Sequence, residues 1–235
     1  MRFVAVGELL VDVVADGSGH HARIRLSPAG SAFNAAVAAA AAGAEATVVG
    51  TVGDDPAGRM ILAELATRGV HADVTVAAGS TGTFLLADGD VRVDRGVAHD
   101  VVLPERIDAD AVLVSGYVPA AAEALARSDA GWVALDAANL HALPAGGNAV
   151  FASGPHHDLD ALAEGRRLAV VTLGADGAVA VLDGQREDIR PDRTAVDAPG
   201  AGDVFAAALL VALARGDDLA AALSEATRAA LDSLA

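Results

Sequence analysis

The 235-residue sequence predicts an α/β sandwich with a mostly parallel central sheet and a small β-strand lid. From residue 110 onward, short apolar runs alternate with helical patterns, which is typical of right-handed βαβ units in a parallel sheet. Alternating polar and apolar residues at about 13–28 and 72–98 predict the strands of the lid. The length and the 53% content of hydrophobic residues favour one main domain over residues 1–235.

The elements predicted for the N-terminal half follow from apolar runs that are bounded by turn residues. Ser31 is expected to cap the first helix, and Gly43 and Gly69 are expected to end the first and second helices. In chain order, we predict a buried strand at "RFVAVG", an exposed lid strand at 20–27, a helix at 32–42, a strand at "ATVVGTVG", a helix at 56–68 and two or three lid strands across 72–95.

The C-terminal half carries the clearest alternation of strands and helices. In chain order, we predict a strand at "DAVLVSG", a helix at 119–128, strands at "GWVALD" and "NAVFAS", a weak helix at 158–165, a strand at "RLAVVTLG", a hairpin at "AVAVLDGQREDIR" and helices at 201–215 and about 217–233. The buried strands among these are expected to form the core of the parallel sheet.

The charge and composition of the chain exclude several classes of function. All sixteen basic residues are arginine, and 32 acidic residues give a net charge of −16, which repels nucleic acid and anionic membranes. The chain has no cysteine, so we expect neither disulfides nor a thiolate metal site, and we expect a cytoplasmic protein. The start has no signal-peptide pattern, and the Ala-rich run at 35–50 is interpreted as a buried helix and strand rather than a membrane span.

A glycine-rich turn, "DAPGAGDVF" at 197–205, precedes an apolar helix and suggests an anion site. A P-loop is excluded because the chain has no lysine, and a dinucleotide fingerprint fails because Phe205 stands at the third glycine position. The remaining interpretation is an anion cradle formed by the amides of 201–203, with Asp203 as a general base. A plain turn with Asp203 as a capping residue is the alternative.

Four motifs in order resemble those of the ribokinase-type (PfkB) family of carbohydrate kinases, over nearly the whole chain. They are "GELLVD" at 7–12, "AGSAFNAAVAAAAAGAEATVVGTVGDDPAGRMILAELATRGV" at 29–70, "VTLGADGA" at 171–178 and "DAPGAGD" at 197–203. The resemblance implies a ribokinase-like, three-layer αβα sandwich with a β lid, and an ATP-dependent kinase that phosphorylates a small sugar. Both "GELLVD" and "VRVDRG" at 91–96 are most similar to fructokinase and 2-keto-3-deoxygluconate kinase members.

The resemblance also implies the roles of individual residues. Asp203 would be the base that activates the sugar hydroxyl, and Gly200, Ala201 and Gly202 would form the anion hole. The implied sugar-binding residues are Asp12, Gly30, Asn34 and Arg95, and the implied nucleotide-binding residues are Thr172, Gly174 and Gly177.

Each implied contact has a purely structural alternative. Asp12 can be a solvated acid at a strand end, Asn34 can brace its helix, and Arg95 can be a surface arginine. Thr172 and its neighbouring glycines can form a tight turn. The histidine pairs at 20–21 and 156–157 are not interpreted as metal sites, because adjacent strand side chains point to opposite faces and make poor chelates.

The sequence departs from the family pattern at the Asn-x-x-Glu motif that is associated with magnesium. Ser153 and His156 stand at those two positions, with Asp158 nearby, so ATP and Mg²⁺ are implied while the metal ligands stay unassigned. The chain is also short between 136 and 148 and after the last predicted helix. A non-catalytic sugar or nucleoside sensor on the same fold is therefore kept as an alternative function.

The acceptor is expected to be a keto-sugar or a sugar acid. Ser31 stands where ribokinase-like sequences tend to have lysine, so ribose is not favoured. The absence of lysine and the negative net charge favour a neutral sugar or a single carboxylate over a sugar phosphate. A nucleoside kinase of the adenosine type is a further alternative. Exposed lid edges predict a homodimer through the lid.

Overall fold

The computed structural model describes residues 1–17, 19–138, 140, 142–191 and 199–233 of the chain. Its helices are α1 (Ser31–Ala41), α2 (Pro56–Thr67), α3 (Ala121–Arg127), α4 (Leu159–Ala163), α5 (Ala201–Arg215) and α6 (Leu219–Asp232). Its strands are β1 (Arg2–Val6), β2 (Leu10–Asp16), β3 (Arg23–Ala29), β4 (Glu45–Gly53), β5 (His71–Ala77), β6 (Gly82–Ala87), β7 (Asp90–Asp94), β8 (Ile107–Asp108), β9 (Ala111–Ser115), β10 (Ser128–Asp129), β11 (Trp132–Ala138), β12 (Ala149–Ser153), β13 (Leu168–Thr172), β14 (Ala178–Leu182) and β15 (Gln185–Ile189).

The main sheet has nine strands within these ranges, in the order β15-β14-β13-β12-β11-β9-β1-β4-β5. All neighbours from β5 to β13 run parallel, and β14 and β15 extend the sheet as an antiparallel hairpin. The carboxyl ends of β1, β9 and β11 therefore lie next to one another. Open parallel α/β sheets bind their ligands at this end of the strands.

Helices cover both faces of the main sheet. On one face, α1, α5 and α6 enclose a core that includes Phe3, Leu113 and Phe151. On the other face, α3 and α4 pack over a core that includes Val6 and Val114. Because strands buried on both sides need apolar residues at every position, these strands read as continuous apolar runs. The predicted α/β sandwich with a mostly parallel sheet is confirmed.

Helices α1 and α5 pack against each other through small side chains. Helix α5 is buried around its whole circumference from Phe205 to Leu213, and α1 buries Ala35, Ala36 and Ala39. Burying alanine costs no side-chain entropy and lets two helices approach closely. Although α5 is apolar all round, none of the helices in the described ranges is long and apolar enough to cross a bilayer.

The lid is a four-stranded sheet in the order β3-β2-β6-β7. Strand β2 pairs parallel with β6, while β3 and β7 pair antiparallel at the two edges. Asp55 and Thr81 attach the lid to the main body, because the Asp55 carboxylate accepts hydrogen bonds from the Thr81 amide (2.8 Å) and hydroxyl (2.7 Å). Asp55 also caps α2 by accepting from the Gly58 amide at 2.8 Å. One carboxylate thus connects a helix start to the entry of β6.

Strand β5 lies in the main sheet, although residues 72–98 were expected to belong to the lid. It pairs parallel with β4 from Thr47 opposite His71 to Gly53 opposite Ala77. With α2 between them, β4 and β5 form a βαβ unit. An edge strand with one exposed face shows the same alternation as a lid strand, so periodicity alone does not separate the two.

The predicted end of α1 is confirmed, but its predicted cap is wrong. Gly43 and Gly69 follow α1 and α2 with φ of 87° and 71°, as expected for residues that end helices. At the other end, Ser31 is the first helical residue and Gly30 occupies the cap position with φ of 103°. Gly30 is required there because a Cβ atom would lie 2.4 Å from the carbonyl oxygen of Glu8.

The single tryptophan of the chain lies at the amino end of the central strands. Trp132 begins β11 opposite Ala111, is 7% exposed, and packs beneath the guanidinium of Arg167 at 4.5 Å from its ring centre. Arg167 also pairs with Asp183 at 3.0 Å. This cluster closes the end of the sheet that lies opposite the carboxyl ends of β1, β9 and β11.

Candidate active site

Five polar side chains lie at the carboxyl ends of the central strands or on the first turns of the helices beside them. Glu8 follows β1, Tyr117 follows β9, and Asp136 lies near the end of β11. The first turn of α5 supplies Asp203 and the first turn of α1 supplies Asn34. The arrangement follows from the sheet order, since β11, β9 and β1 are neighbours and α1 packs against α5.

Asn34 and Asp203 are hydrogen bonded across 169 positions of the chain. The amide nitrogen of Asn34 (Nδ2) donates to Oδ2 of Asp203 at 2.9 Å. Gly200 makes this contact possible, because a Cβ atom at that residue would lie 2.6 Å from the same nitrogen. Gly200 also adopts φ of 87°, a left-handed conformation that glycine tolerates best.

The start of α5 presents backbone amides without a side-chain cap. Gly200 occupies the cap position, and within the described ranges none of the side chains accepts a hydrogen bond from this helix start. Gly202 is exposed, and a Cβ atom there would meet nothing within 4 Å. Amides without a side-chain cap therefore lie at the positive end of a 15-residue helix dipole, which suits an anion.

Asp203 and Asp136 form a hydrogen-bonded carboxyl pair. Burial and the neighbouring Asp136 raise the pKa of Asp203 well above its ordinary value, and the Asn34 hydrogen bond opposes this rise. Burial also raises the pKa of Asp136, whose Oδ1 accepts from the Ala138 amide at 3.1 Å. Two carboxylates this close cannot both ionise easily, so the pair tends to retain one proton. Asp203 nevertheless keeps part of its side chain exposed.

Asp12 faces the same space from the lid. It lies on β2 opposite Ser27 of β3 and Phe84 of β6, and it is half-buried. Burial raises its pKa, and its charge adds to the rise in the pKa of Asp203. The face of the lid that carries Asp12 is therefore turned toward Asp203.

Arg95 does not lie within a lid strand. It directly follows β7, at the start of a 3-10 turn formed by Gly96–His99, and its Nη1 donates to Oε1 of Glu8. The guanidinium also lies 5.5 Å from the ring centre of Tyr117. The predicted sugar-binding arginine is therefore close to the carboxyl ends of β1 and β9, as part of an ion pair.

The nucleotide-binding residues expected from the sequence lie at the end of β13 and in the turn to β14. The Thr172 hydroxyl is hydrogen bonded to that of Ser153 at 2.9 Å. Gly174 and Gly177 adopt φ of 59° and 99°. A Cβ atom at Gly177 would lie 2.0 Å from the carbonyl oxygen of Ile189, so hairpin packing alone already requires this glycine.

The residues at the expected magnesium position do not fit that ion. The Ser153 hydroxyl contacts Thr172, and Oδ1 of Asp158 accepts from the amides of Asp160 and Ala161 at the start of α4. His156 offers nitrogen, whereas Mg²⁺ prefers oxygen in octahedral geometry. In the part of the chain that the structure describes, no group of three or more histidine or acidic residues is placed to hold a metal.

Sequence reasoning missed Glu8 and Asp136. Both are acidic residues at the carboxyl ends of apolar strands in the middle of the sheet. That position is a usable signal, because ligands of parallel α/β sheets bind there. Of the predicted residues, the structure brings together Asp203, Gly200 and Asn34, with Asp12 close enough for its charge to act on Asp203. Arg95 lies apart from this group, beside Glu8 and Tyr117.

Comparison with known proteins agrees with this architecture. The pfkB family carbohydrate kinase model matches residues 2–119 and 152–231. Ribokinase of Bacillus subtilis is 32% identical to this chain, and the match covers 86% of this chain and 80% of the ribokinase. An ATP-dependent ribose-1-phosphate kinase of Halopiger xanaduensis is 33% identical, and the match covers 89% of this chain and 81% of that kinase.

Solved structures show the same fold at lower sequence identity. Ribokinase of Thermotoga maritima gives a TM-score of 0.82 at 20% identity, covering 97% of this chain and 91% of its own. Adenosine kinase of Sinorhizobium meliloti gives a TM-score of 0.79 at 21% identity, covering 97% of this chain and 92% of its own. The fold is therefore ribokinase-like, and the family match over most of the sequence shows that the chain belongs to the pfkB family of carbohydrate kinases.

Proposed function

We propose that the chain transfers the γ-phosphoryl group of ATP to a hydroxyl of a small carbohydrate, with Asp203 as the general base. The observation that carries this proposal is the place of Asp203, on the first turn of α5 beside uncapped amides and bound to Asn34. A base next to an anion cradle is what phosphoryl transfer to a hydroxyl requires. Membership of the pfkB family supports the same reaction class.

In the proposed mechanism, Asp203 takes the proton of the acceptor hydroxyl. The hydroxyl oxygen forms a bond to the γ-phosphorus while the bond from that phosphorus to the bridging oxygen breaks, and the electron pair leaves with ADP. The raised pKa of Asp203 makes it a stronger base than an ordinary carboxylate, which favours proton transfer near neutral pH.

The amides of residues 201–203 stabilise the transferred group. Helix geometry directs these N–H groups out of the end of α5, toward the oxygens on which charge develops. Gly200 and Gly202 allow the phosphoryl group to approach the backbone, since neither places a side chain over the cradle. Preorganised donors of this kind contribute about 10²–10³-fold in rate each.

Asn34 and Asp136 are proposed to position and tune the base. Asn34 fixes the orientation of the Asp203 carboxylate through Oδ2. Asp136 raises the basicity of Asp203 through its charge and its hydrogen bond. Asp12, on the lid face opposite, is proposed to accept hydrogen bonds from acceptor hydroxyls.

The nucleotide is proposed to border Thr172 and Gly174, beside the ends of β12 and β13. ATP supplies the phosphoryl group when bound. Because Ser153, His156 and Asp158 do not fit a magnesium site, the mechanism takes no step through the metal.

We propose a keto-sugar or a sugar acid as the acceptor, because the sequence motifs at 7–12 and 91–96 are most similar to those of kinases that act on such sugars. The relatives are named ribokinase and ATP-dependent ribose-1-phosphate kinase, and the Sinorhizobium structure is named adenosine kinase, so we add ribose, ribose 1-phosphate and adenosine as candidate acceptors. All three belong in the test panel. The proposal also retains a cytoplasmic location, which the cysteine-free sequence favours.

The lid edges support the proposal of a homodimer. Strands β3 and β7 expose Ile24, Leu26, Val91 and Val93 at 47% or more. Exposed apolar edge strands favour pairing with another sheet. Light scattering on purified protein tests this: a monomer at micromolar concentration contradicts it.

The decisive test is ADP release from Mg-ATP with a panel of sugars, sugar acids, sugar phosphates and nucleosides, using wild type beside Asp203→Asn. We expect turnover on one acceptor that the variant loses. A non-catalytic sensor is the second candidate, favoured by the unmatched positions 153 and 156. Sugar binding in calorimetry with no heat from Mg-ATP supports the sensor instead.

A further inference from the structure

Glu8 and Arg95 form an ion pair at the border of the acceptor site. Glu8 is 5% exposed, so its charge is almost fully removed from water, while the Arg95 side chain is 38% exposed. Arg95 Nη1 donates to Glu8 Oε1. A buried carboxylate needs such a partner, since burying it unpaired is very costly.

The ion pair lies at the carboxyl ends of β1 and β9, the end of a parallel α/β sheet at which ligands bind. The Arg95 guanidinium is 5.5 Å from the ring centre of Tyr117, which follows β9, and Glu8 follows the neighbouring strand β1. Gly30 packs directly on the main chain of Glu8, and Asn34 lies one helical turn further along α1. The pair is thus joined through α1 to the residue that holds Asp203.

The charges around this space are otherwise negative. Asp12, Asp136 and Asp203 supply three carboxyl groups. Arg25 lies on the same face of the lid as Asp12, because it pairs with Val14, which is two positions after Asp12 on β2. Arg25 is exposed, however, and lies about 7 Å further toward the tip of the lid than Asp12 does. Arg95 is the cation that the described contacts place at the ends of β1 and β9, beside Glu8 and Tyr117, and Glu8 neutralises that cation.

We propose that Glu8 is a specificity-determining residue that, by holding Arg95, makes the acceptor site select an uncharged sugar over a sugar acid or a sugar phosphate. The inference rests on the proposed function, since it concerns the acceptor of that reaction. An anionic acceptor would meet a guanidinium whose charge is already neutralised by a buried carboxylate, together with three further carboxyl groups. A neutral polyol meets no such penalty and can donate hydrogen bonds to those groups.

The test measures binding without nucleotide, by titration calorimetry. The ligands are the neutral sugar with the highest turnover in the panel, the corresponding acid and the corresponding phosphate ester. If the panel gives no turnover, the ligands are fructose, 2-ketogluconate and fructose 1-phosphate, three compounds that differ from one another only at C1. Wild type is expected to bind the neutral sugar most tightly. Glu8→Gln is nearly isosteric and frees the guanidinium, so the affinity for the acid relative to the neutral sugar should rise about tenfold or more.

Matched variants separate this effect from damage to the fold. Glu8→Gln with Arg95→Gln removes both charges, leaves none buried and unpaired, and should return the ratio to the wild-type value. Glu64→Gln, on α2, breaks a surface ion pair with Arg68, which directly follows the helix, and should leave the ratio unchanged. Three outcomes would each overturn the inference. The ratio is unchanged in Glu8→Gln, or wild type binds the acid more tightly than the neutral sugar, or Arg25→Gln abolishes the binding of the anion. If no acceptor gives ADP release but the binding preference is as expected, the kinase mechanism is refuted and the inference about Glu8 stands.

Discussion

Asn34 Nδ2 lies 2.9 Å from Asp203 Oδ2 and donates a hydrogen bond that joins the first turns of α1 and α5. The two helices pack through alanine, so this polar contact lies at the end of an otherwise apolar interface. Because an amide cannot ionise, Asn34 holds the carboxylate without neutralising it. The contact therefore orients the proposed base and preserves its charge.

Replacing Asp203 by Asn should abolish most of the turnover. The variant keeps the shape and a hydrogen-bonding group but cannot accept the proton, so kcat should fall by about 10²–10⁴-fold while sugar affinity changes little. ADP release gives kcat, and calorimetry gives the affinity. An unchanged kcat would falsify the assignment of Asp203 as base and leave it a capping residue.

The same variant should be more stable than wild type at alkaline pH. The pKa of Asp203 is higher in the folded protein than in the unfolded chain, so Asp203 stabilises the folded protein at pH values below its ordinary pKa. That contribution is lost as the pH rises through the pKa of the folded state. Asn removes this dependence, so we expect about 1 kcal/mol of added stability at about pH 8 and little difference near pH 4. Urea unfolding across this range measures it, and a constant difference contradicts the expectation.

Asp136→Asn should shift the acid limb of the pH–rate profile to lower pH. Asp136 raises the pKa of Asp203 by its charge and its hydrogen bond, so removing the carboxylate lets Asp203 ionise more easily. The measurement is kcat/KM against pH. Asp73→Asn, on the exposed edge strand β5, is the matched control and should leave the profile in place. A shift in the opposite direction would show that Asp136 does not act through Asp203.

Gly200→Ala should impair activity more than a comparable change elsewhere. Its Cβ would lie 2.6 Å from Asn34 Nδ2, in addition to the strain at φ of 87°. Gly184→Ala has the same kind of strain, at φ of 86°, with nothing within 4 Å. Both should lose about 1 kcal/mol of stability, whereas kcat should fall only in Gly200→Ala. Equal kcat values in the two variants argue against a role for the Asn34 contact.

Asp55→Ala should destabilise the protein and loosen the lid attachment. Burial acts to raise the pKa of Asp55, but the hydrogen bonds that it accepts from Gly58 and Thr81 outweigh burial, and the pKa is lowered. Ionised Asp55 therefore stabilises the folded protein at pH values above the ordinary pKa of aspartate, and this contribution is lost as the pH falls through the lowered pKa. We expect a loss of about 2 kcal/mol at neutral pH. Asp54→Ala, which removes an exposed pair with Arg59, is the control and should change stability by less than about 0.5 kcal/mol.

Local patterns sufficed for most of the fold. Helix 201–215 was predicted with its observed bounds, because an apolar run between glycines leaves little choice. Strand β5 was misplaced because pairing with β4 depends on the path of α2 and not on local periodicity. Asp203 could be singled out from its glycine turn. Asp136 and Glu8 could not be assigned roles, because their importance comes from neighbours that are brought close only by the sheet order.

The chain has one tyrosine and one tryptophan, and they lie at opposite ends of the central strands. Tyr117 contacts Arg95 beside the proposed acceptor space, whereas Trp132 is buried under Arg167 at the amino ends of the strands. The protein therefore contains two separate optical reporters. Tyrosine absorbance should respond when an acceptor displaces solvent near Arg95, and tryptophan emission should stay constant until the sheet itself unfolds. A single sample can thus report ligand binding and global unfolding at two wavelengths, without an added dye.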